Sequence, residues 1–304
     1  MKNKQKVAGL LSMTDLKTSK GKAMYAFIVF CLLIVSAVCL LPTLWIVLTS
    51  LKDTQEIYND PGFFPKNLSL EIFVTRISEA WKALDAGNSL LNSLYIGVGD
   101  VVFSVVLSGL GGYVLSKLKP TGTKLIIAIL LWTMMMPAQI RTVPTFMSYL
   151  SFPFLAEIPG EVSLLNTFWP MWLSAAASAF NLLLYKSQFD SIPTALVEAA
   201  KIDGCGNMRI FFQIMIPLSV PTIMYTSIIT MQAAWGNFFG PYLILTKEEL
   251  QPLAVKLFNA KSDPAIKMNT YMMCLILASV PSFIFYIFFQ KYIVGGISVG
   301  AVKG

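Results

Sequence analysis

Ser191-Ile-Pro-Thr-Ala-Leu-Val-Glu198-Ala199-Ala200-Lys-Ile-Asp203-Gly204, followed by Cys-Gly-Asn207-Met-Arg209-Ile-Phe-Phe-Gln-Ile214-Met-Ile-Pro217, reads as a helix, a break and a second helix. Pro193 suits a first helical turn, where its missing N–H would have no partner anyway, and Gly204 suits the left-handed residue just past a helix end. Asn207 can then cap the next helix, which runs towards Pro217. The stretch is therefore a compact elbow, and the residues on either side of it decide what it projects from.

Those flanks are apolar. Of 304 residues, 56% are hydrophobic and 13% charged, a composition that excludes two ordinary soluble domains and belongs to a membrane protein. A helix needs roughly 20 mostly apolar residues to cross the hydrocarbon core, because its backbone groups find no water there. Six stretches qualify, at about Ala23 to Leu48, Leu90 to Leu115, Leu125 to Leu150, Phe168 to Tyr185, Pro217 to Phe239 and Met268 to Ile293. The first is longer than a signal-peptide core and lacks a small-x-small cleavage site, so it is read as retained.

Lysine and arginine collect in short loops that stay in the cytoplasm. Lys2, Lys4, Lys6, Lys17, Lys20 and Lys22 precede the first span, and Lys117, Lys119 and Lys124 lie between the second and third, so both segments belong inside. The connection from Lys52 to Ala86 is acidic on balance, and the stretch around Glu157 and Glu161 has no basic residue, so both belong outside. Lys247, Lys256, Lys261 and Lys267 in the last outer loop follow the rule less well. The expected organisation is all-α and polytopic: a cytoplasmic segment 1–22, a six-helix unit 23–294 with an outer loop 49–89 and the elbow at 186–216, and a cytoplasmic tail 295–304. In the outer loop, Leu70, Phe73, Ile77, Trp81 and Leu84 recur at helical spacing behind Ser69, a candidate N-cap, which predicts a short amphipathic helix.

The net charge of +7 is spread between apolar runs rather than gathered on one face, which argues against nucleic acid. With no histidine the chain lacks the commonest general base and metal ligand. Cys31, Cys39, Cys205 and Cys274 contain no close-spaced pair, and read as small packing residues rather than as a disulfide framework or zinc site.

The elbow resembles the shared loop of the integral membrane subunits of binding-protein-dependent ABC importers: Glu-Ala-Ala, three residues, Gly, nine residues, then Ile-x-Leu-Pro. Glu198, Ala199, Ala200, Gly204, Ile214 and Pro217 match, with Ile216 in place of the leucine. The resemblance implies an ABC importer permease fold in which this elbow docks on a separate ATPase subunit and passes its motion to the spans, with Glu198 pairing with a basic group there. Asp203 offers a second charged contact, and two alanines and a glycine let another protein approach closely. Further similarity points to the carbohydrate-importing permeases of the maltose-transporter type: Pro42 to Lys52, Phe64-Pro65, Asn92-Ser-Leu, Met136 to Pro144, Leu165-Asn166-Thr167 and Trp235-Gly-Asn237-Phe-Phe-Gly-Pro241, where Gly236 is an insertion. The ending Gly300-Ala301-Val302-Lys303-Gly304 resembles that of one of the two permease subunits. The implied partners are a second permease in a heterodimer, two ATPase subunits holding ATP and Mg, an extracytoplasmic sugar-binding protein, and the sugar. The implied location is the bacterial cytoplasmic membrane, and this chain itself carries no cofactor.

Four residues are candidates for the sugar path. Asp100 is an ionisable group within a span, which is costly unless it faces protein, water or a partner; a structural pairing competes with a route role. Gln139, Asn237 and Trp235 offer amides for hydroxyls and an aromatic face for sugar C–H surfaces, although amides also join helices and aromatics also line membrane interfaces. An intramembrane enzyme would need a nucleophile, acid pair or metal set, and only the lone Asp100 is present. A secondary transporter or channel for a small polar solute would not require the elbow. No phosphate-binding loop accompanies Gly21-Lys22, so ATP hydrolysis falls to the partners.

Overall fold

The computed structural model describes residues 18–60, 62–150 and 163–301, with the backbone alone for Ala138 and residues 291–301. The expected basic start up to Lys17, the stretch around Glu157 and Glu161, and Val302 to Gly304 lie outside the described residues. Every regular element among the described residues is helical, and the protein is an all-α, multi-pass membrane protein. Three helices are long and apolar enough to cross a membrane: α1 (Ser19–Leu51), α4 (Ala86–Leu118) and the Met268–Gln290 part of the final helix. The count rises to five if each of two bent pairs is one span, against the six expected.

The difference lies where the chain breaks its own helices. The expected third span divides into α5 (Thr123–Met135) and α6 (Ala138–Leu150), whose axes bend by 110°. Pro137 lacks an N–H for the ladder and disfavours helical geometry at the residue before it, and Met136 accordingly is extended at φ −77°, ψ 126°. The expected fourth span divides into α7 (Trp169–Ala176) and α8 (Ala179–Asp190). There Ser178 leaves the helix to become an N-cap, its hydroxyl accepting from the Asn181 N–H at 3.3 Å. At the elbow, α9 (Thr194–Ile202) precedes α10 (Asn207–Leu218), which meets α11 (Val220–Gly236) at 82° across Ser219. Short helices α12 (Phe239–Ile244) and α13 (Leu253–Ser262) lead to α14 (Met268–Ala301), whose helical backbone continues past the expected end at Ile293 into the segment expected as a tail.

The helix α4 is the axis of the molecule, packing against α7, α8, α11 and α13. Its small residues make this possible. A Cβ on Gly112 would sit 2.7 Å from the Tyr185 Cβ and 2.8 Å from the Lys186 backbone nitrogen, so α8 lies directly on the α4 backbone. By contrast α1 leaves Phe27, Phe30, Leu33 and Val38 exposed and buries only Gly21 near its start and Thr49 and Ser50 at its last turn. Apolar side chains on such a helix are matched to lipid or to another membrane subunit rather than to this chain's own core.

The end of the molecule away from the elbow is closed by α2 (Thr54–Asn59), α3 (Leu70–Ala83) and α13. Ser69 caps α3 as expected, its hydroxyl accepting from the Glu71 N–H. The buried stripe, however, runs through Ile77, Ala80 and Leu84, and leaves Leu70, Phe73 and Trp81 largely exposed. Polar ties on that side fix the rotation: Arg76 pairs with Glu79 at 3.0 Å, and the Thr270 hydroxyl donates to the same carboxylate at 2.9 Å. Burial works against the charge on Glu79, but these hydrogen bonds hold its carboxyl below the ordinary range. Lys52 donates through Nζ to the Gly62 carbonyl, and the Asn269 amide donates to the Lys52 carbonyl at 3.0 Å.

Candidate functional site: the elbow and the cavity above it

The elbow helix α9 starts after Pro193, which stands one position before the first helical residue rather than within it. It ends through a left-handed glycine. Gly204 has φ +79°, its N–H donates to the Lys201 carbonyl at 3.0 Å, and the Cys205 N–H reaches back to the Ala200 carbonyl at 2.9 Å. This paired closure is a Schellman cap, which an L side chain at Gly204 would strain. The following helix starts at Asn207 behind Gly206, so Asn207 is its first helical residue and not its cap.

Two sides of α9 differ in kind. Val197 and Ala200 are buried against a knot of Tyr113, Tyr185, Phe189, Ile192, Ile210, Phe211 and Met215. The smallness of Ala200 thus serves the seating of the elbow on its own chain. Glu198, Ala199 and Asp203 are exposed, as are Leu196 and Ile202, the latter at 87%. Apart from its chain neighbours, none of the described residues approaches within 4 Å of where a Gly204 Cβ would be. Pro217 is exposed in α10, two residues before the bend at Ser219.

The base of the elbow is tied to α4 by Lys117, read from the sequence only as an orientation signal, and by Ser116, Lys186 and Asp190, which the sequence did not single out. Lys117 donates through Nζ to the Ile192 carbonyl at 2.6 Å. The Ser116 hydroxyl donates to Asp190 at 2.6 Å, and Lys186 pairs with the other oxygen of that carboxylate at 2.6 Å. Partial burial raises the cost of charge on Asp190, but the hydrogen bonds from Lys186 and Ser116 prevail and keep its carboxyl below the ordinary range. Deeper in the knot, the Tyr185 and Thr226 hydroxyls share a 2.6 Å hydrogen bond.

Beyond the knot, α4, α6, α7, α8, α11 and α12 surround a cavity of about 750 Å³. Its wall includes Asp100, Arg141, Tyr149, Ser174, Asn181 and Asn237. Asp100 is 8% exposed, and its Oδ1 is buried without a hydrogen-bond partner. The two broken spans open onto this space: Ala175 and Ser178 at the break between α7 and α8 line it, as do Thr142 and Thr145 of α6. Irregular backbone at membrane depth is tolerated where it lines a cavity. Asn237 lies on the wall with its Oδ1 accepting from the Gly240 N–H.

The other two candidates sit elsewhere. Trp235 turns away from the cavity, its indole N–H directed at the Ala278 carbonyl at 3.4 Å, and lines a separate apolar crevice beside α14. Gln139 is exposed near the start of α6 and is not on the cavity wall. Conversely, Asn181 and Tyr149 were not singled out. Asn181 is 5% exposed and donates to Ser104 at 2.8 Å and to Thr230 at 3.3 Å, and Tyr149 meets Ser174 at 2.6 Å. A buried amide inside an apolar stretch is the signal by which Asn181 could have been found. Among the described residues no three His, Cys, Asp or Glu side chains are grouped to hold a metal.

Comparison with known proteins places this architecture. The chain is 28% identical over 293 residues to the polygalacturonan/rhamnogalacturonan transport system permease protein YtcP of Bacillus subtilis, covering 90% of this chain and 96% of that one. It is 27% identical over 286 residues to the arabinooligosaccharides transport system permease protein AraQ of Halalkalibacterium halodurans, covering 92% and 94%. Its fold is similar to that of a chain in the crystal structure of a bacterial ABC transporter involved in the import of the acidic polysaccharide alginate, with a TM-score of 0.73, 22% identity and coverage of 94% and 99%. Residues 109–299, more than half of the chain and including the elbow, match one family in full description: the chain belongs to the binding-protein-dependent transport system inner membrane components, transport subunits and not enzymes.

Proposed function

We propose that this chain is the permease subunit of an ATP-driven importer of a sugar or oligosaccharide, with six spans and both termini in the cytoplasm of a bacterium. In this reading the elbow receives the ATPase: closure of two partner ATPase subunits around ATP and Mg pushes α9, and this chain and a second permease turn from inward to outward facing. An extracytoplasmic binding protein then delivers the saccharide to the exposed cavity.

One observation carries the coupling half: Glu198, Ala199, Asp203 and Ile202 are exposed on an elbow whose opposite side is buried in an aromatic knot. Ile202 at 87% exposure and Leu196 at 45%, with Glu198 and Asp203 beside them, give that side a mixed apolar and acidic face that a partner protein could cover. The cargo half is supported by the carbohydrate names of the relatives and by a cavity rich in hydroxyls and amides, the groups that meet sugar hydroxyls. Coupling is a difference in free energy between two conformations, so the ATPase must hold the elbow more tightly in one of them. Of the candidates for the sugar path, Asp100 and Asn237 have the supporting location; Trp235 and Gln139 would take part only in another conformation or through the second permease.

The test is reconstitution of the importer in vesicles with its binding protein. Uptake of the captured saccharide that requires both ATP and the binding protein supports the reading. Uptake that proceeds down a gradient without either would replace it with the channel or secondary-transporter reading.

A further inference from the structure

The helix α6 has two unlike sides. Arg141, Thr142, Thr145, Phe146 and Tyr149 recur at helical spacing on one side, and all of them line the cavity. Ile140, Val143 and Met147 fall on the opposite side and are exposed, an apolar surface matched to lipid or to another membrane subunit. Arg141 therefore belongs to the space that the cavity encloses and not to the surface those three present. No ion pair joins it to a carboxylate among the described residues. The acidic group on the same wall does not answer it either. Asp100 forms no ion pair among the described residues, and its Oδ1 is buried beyond the reach of a ligand. Charge on a carboxyl so placed is costly, so the charge that the wall offers to cargo is that of Arg141. Hydroxyls stand beside it: Thr145 is exposed one turn further along α6, and Tyr149 meets Ser174 at 2.6 Å.

We infer that Arg141 is a specificity residue that favours saccharides bearing carboxylates, the oligomers of uronic acids, over neutral ones. The inference rests on the reading of this cavity as a saccharide path. A guanidinium meets a carboxylate through two parallel N–H donors, and such a charge-assisted pair is about twice as strong as a bond between neutral groups. Salt screens a partly buried pair less than one at an open surface. A neutral sugar offers the same guanidinium only hydroxyl oxygens, and an amino sugar brings an ammonium that it repels. The threonine and tyrosine hydroxyls serve all three alike, so the difference among them falls on Arg141.

The test uses the full importer in lipid nanodiscs, without nucleotide or binding protein, and three radiolabelled probes: trigalacturonate, maltotriose and a glucosamine trimer. The wild type should bind them in that order, with trigalacturonate tighter than maltotriose by about tenfold, the scale set by one hydrogen bond to a charged group. Added salt should narrow that gap, because salt screens a charge pair and spares a hydroxyl contact. Arg141→Met keeps the length and removes the charge, and should bring the two within about twofold, whereas Arg141→Lys and Asp100→Asn should both keep the order. Equal or weaker binding of trigalacturonate to the wild type overturns the inference, and so does a gap that salt leaves unchanged. An order that survives in Arg141→Met, or that is lost in Arg141→Lys or Asp100→Asn with the complex still assembled, overturns it as well. If no probe binds the wild type, the inference falls, yet ATP-dependent uptake from a loaded binding protein by the same complex would leave the permease reading standing.

Discussion

The two ends of α4 make opposite use of the same helix. At the elbow end, Gly112 is pressed against Tyr185, and Tyr113, Phe189 and Phe211 close a knot with no exposed side chain, latched by Lys117 and Asp190. About three turns earlier Asp100 lies on the wall of a cavity of about 750 Å³, one of its oxygens buried with no partner among the described residues. In the proposed reading the elbow passes on a push, for which close packing is suited because it transmits displacement, and the cavity releases cargo, for which contacts left unmade until the cargo arrives are suited. One helix joins the two, with π-helical turns at Ser104–Ser108 and Val114–Leu118 between them.

The sharpest way to break the comparison is to unpack the tight end. Gly112→Leu would drive a side chain into the Tyr185 Cβ and the Lys186 backbone, and overpacking of this kind costs about 1–3 kcal/mol, occasionally more. Loss of the assembled complex on size-exclusion chromatography is expected; normal assembly would mean the α4–α8 contact is slack. Lys117→Met should cost about 1.5–3 kcal/mol, the range for a hydrogen bond from a charged group, and should lower uptake more than it lowers ATP hydrolysis because the elbow loses its tie to α4. Parallel uptake and hydrolysis measurements decide this.

Smaller effects sharpen the picture. Gly204→Val meets no neighbour, so its cost is the positive φ alone, about 1–2 kcal/mol, read as a lower melting temperature of the purified complex. Tyr185→Phe removes one buried hydrogen bond from Thr226 and should cost about 1 kcal/mol in the same assay. The Asp190 latch has a pH signature. Its carboxyl is depressed on folding, so its contribution is complete above the ordinary value of 3.8 and is lost as pH falls through the lower folded value. Melting temperature should therefore be insensitive to Asp190→Asn replacement only in acid.

Much of the elbow was legible because its cues are local. Gly204 past a helix end and Pro193 before a helix start need only backbone rules, and they erred by a single position, at Pro193 and at Asn207. The spans were legible as apolar length but not as straight rods. Pro137 carried a readable signal for the bend between α5 and α6, whereas the break at Ser178 depends on a serine cap that an apolar run conceals. The outward turn of Trp235 and the seating of Ala200 inside the knot were not legible, since each depends on which helix lies opposite. The same holds for Lys117, whose partner is the carbonyl of Ile192, 75 residues away in sequence.

The central claim is that force enters through the exposed side of α9. It is tested most directly by measuring ATP hydrolysis and saccharide uptake together in vesicles carrying the importer with Glu198→Lys. The account predicts that the chain inserts and assembles with the second permease, while uptake and binding-protein-stimulated hydrolysis both collapse. Wild-type uptake with wild-type stimulation would contradict it.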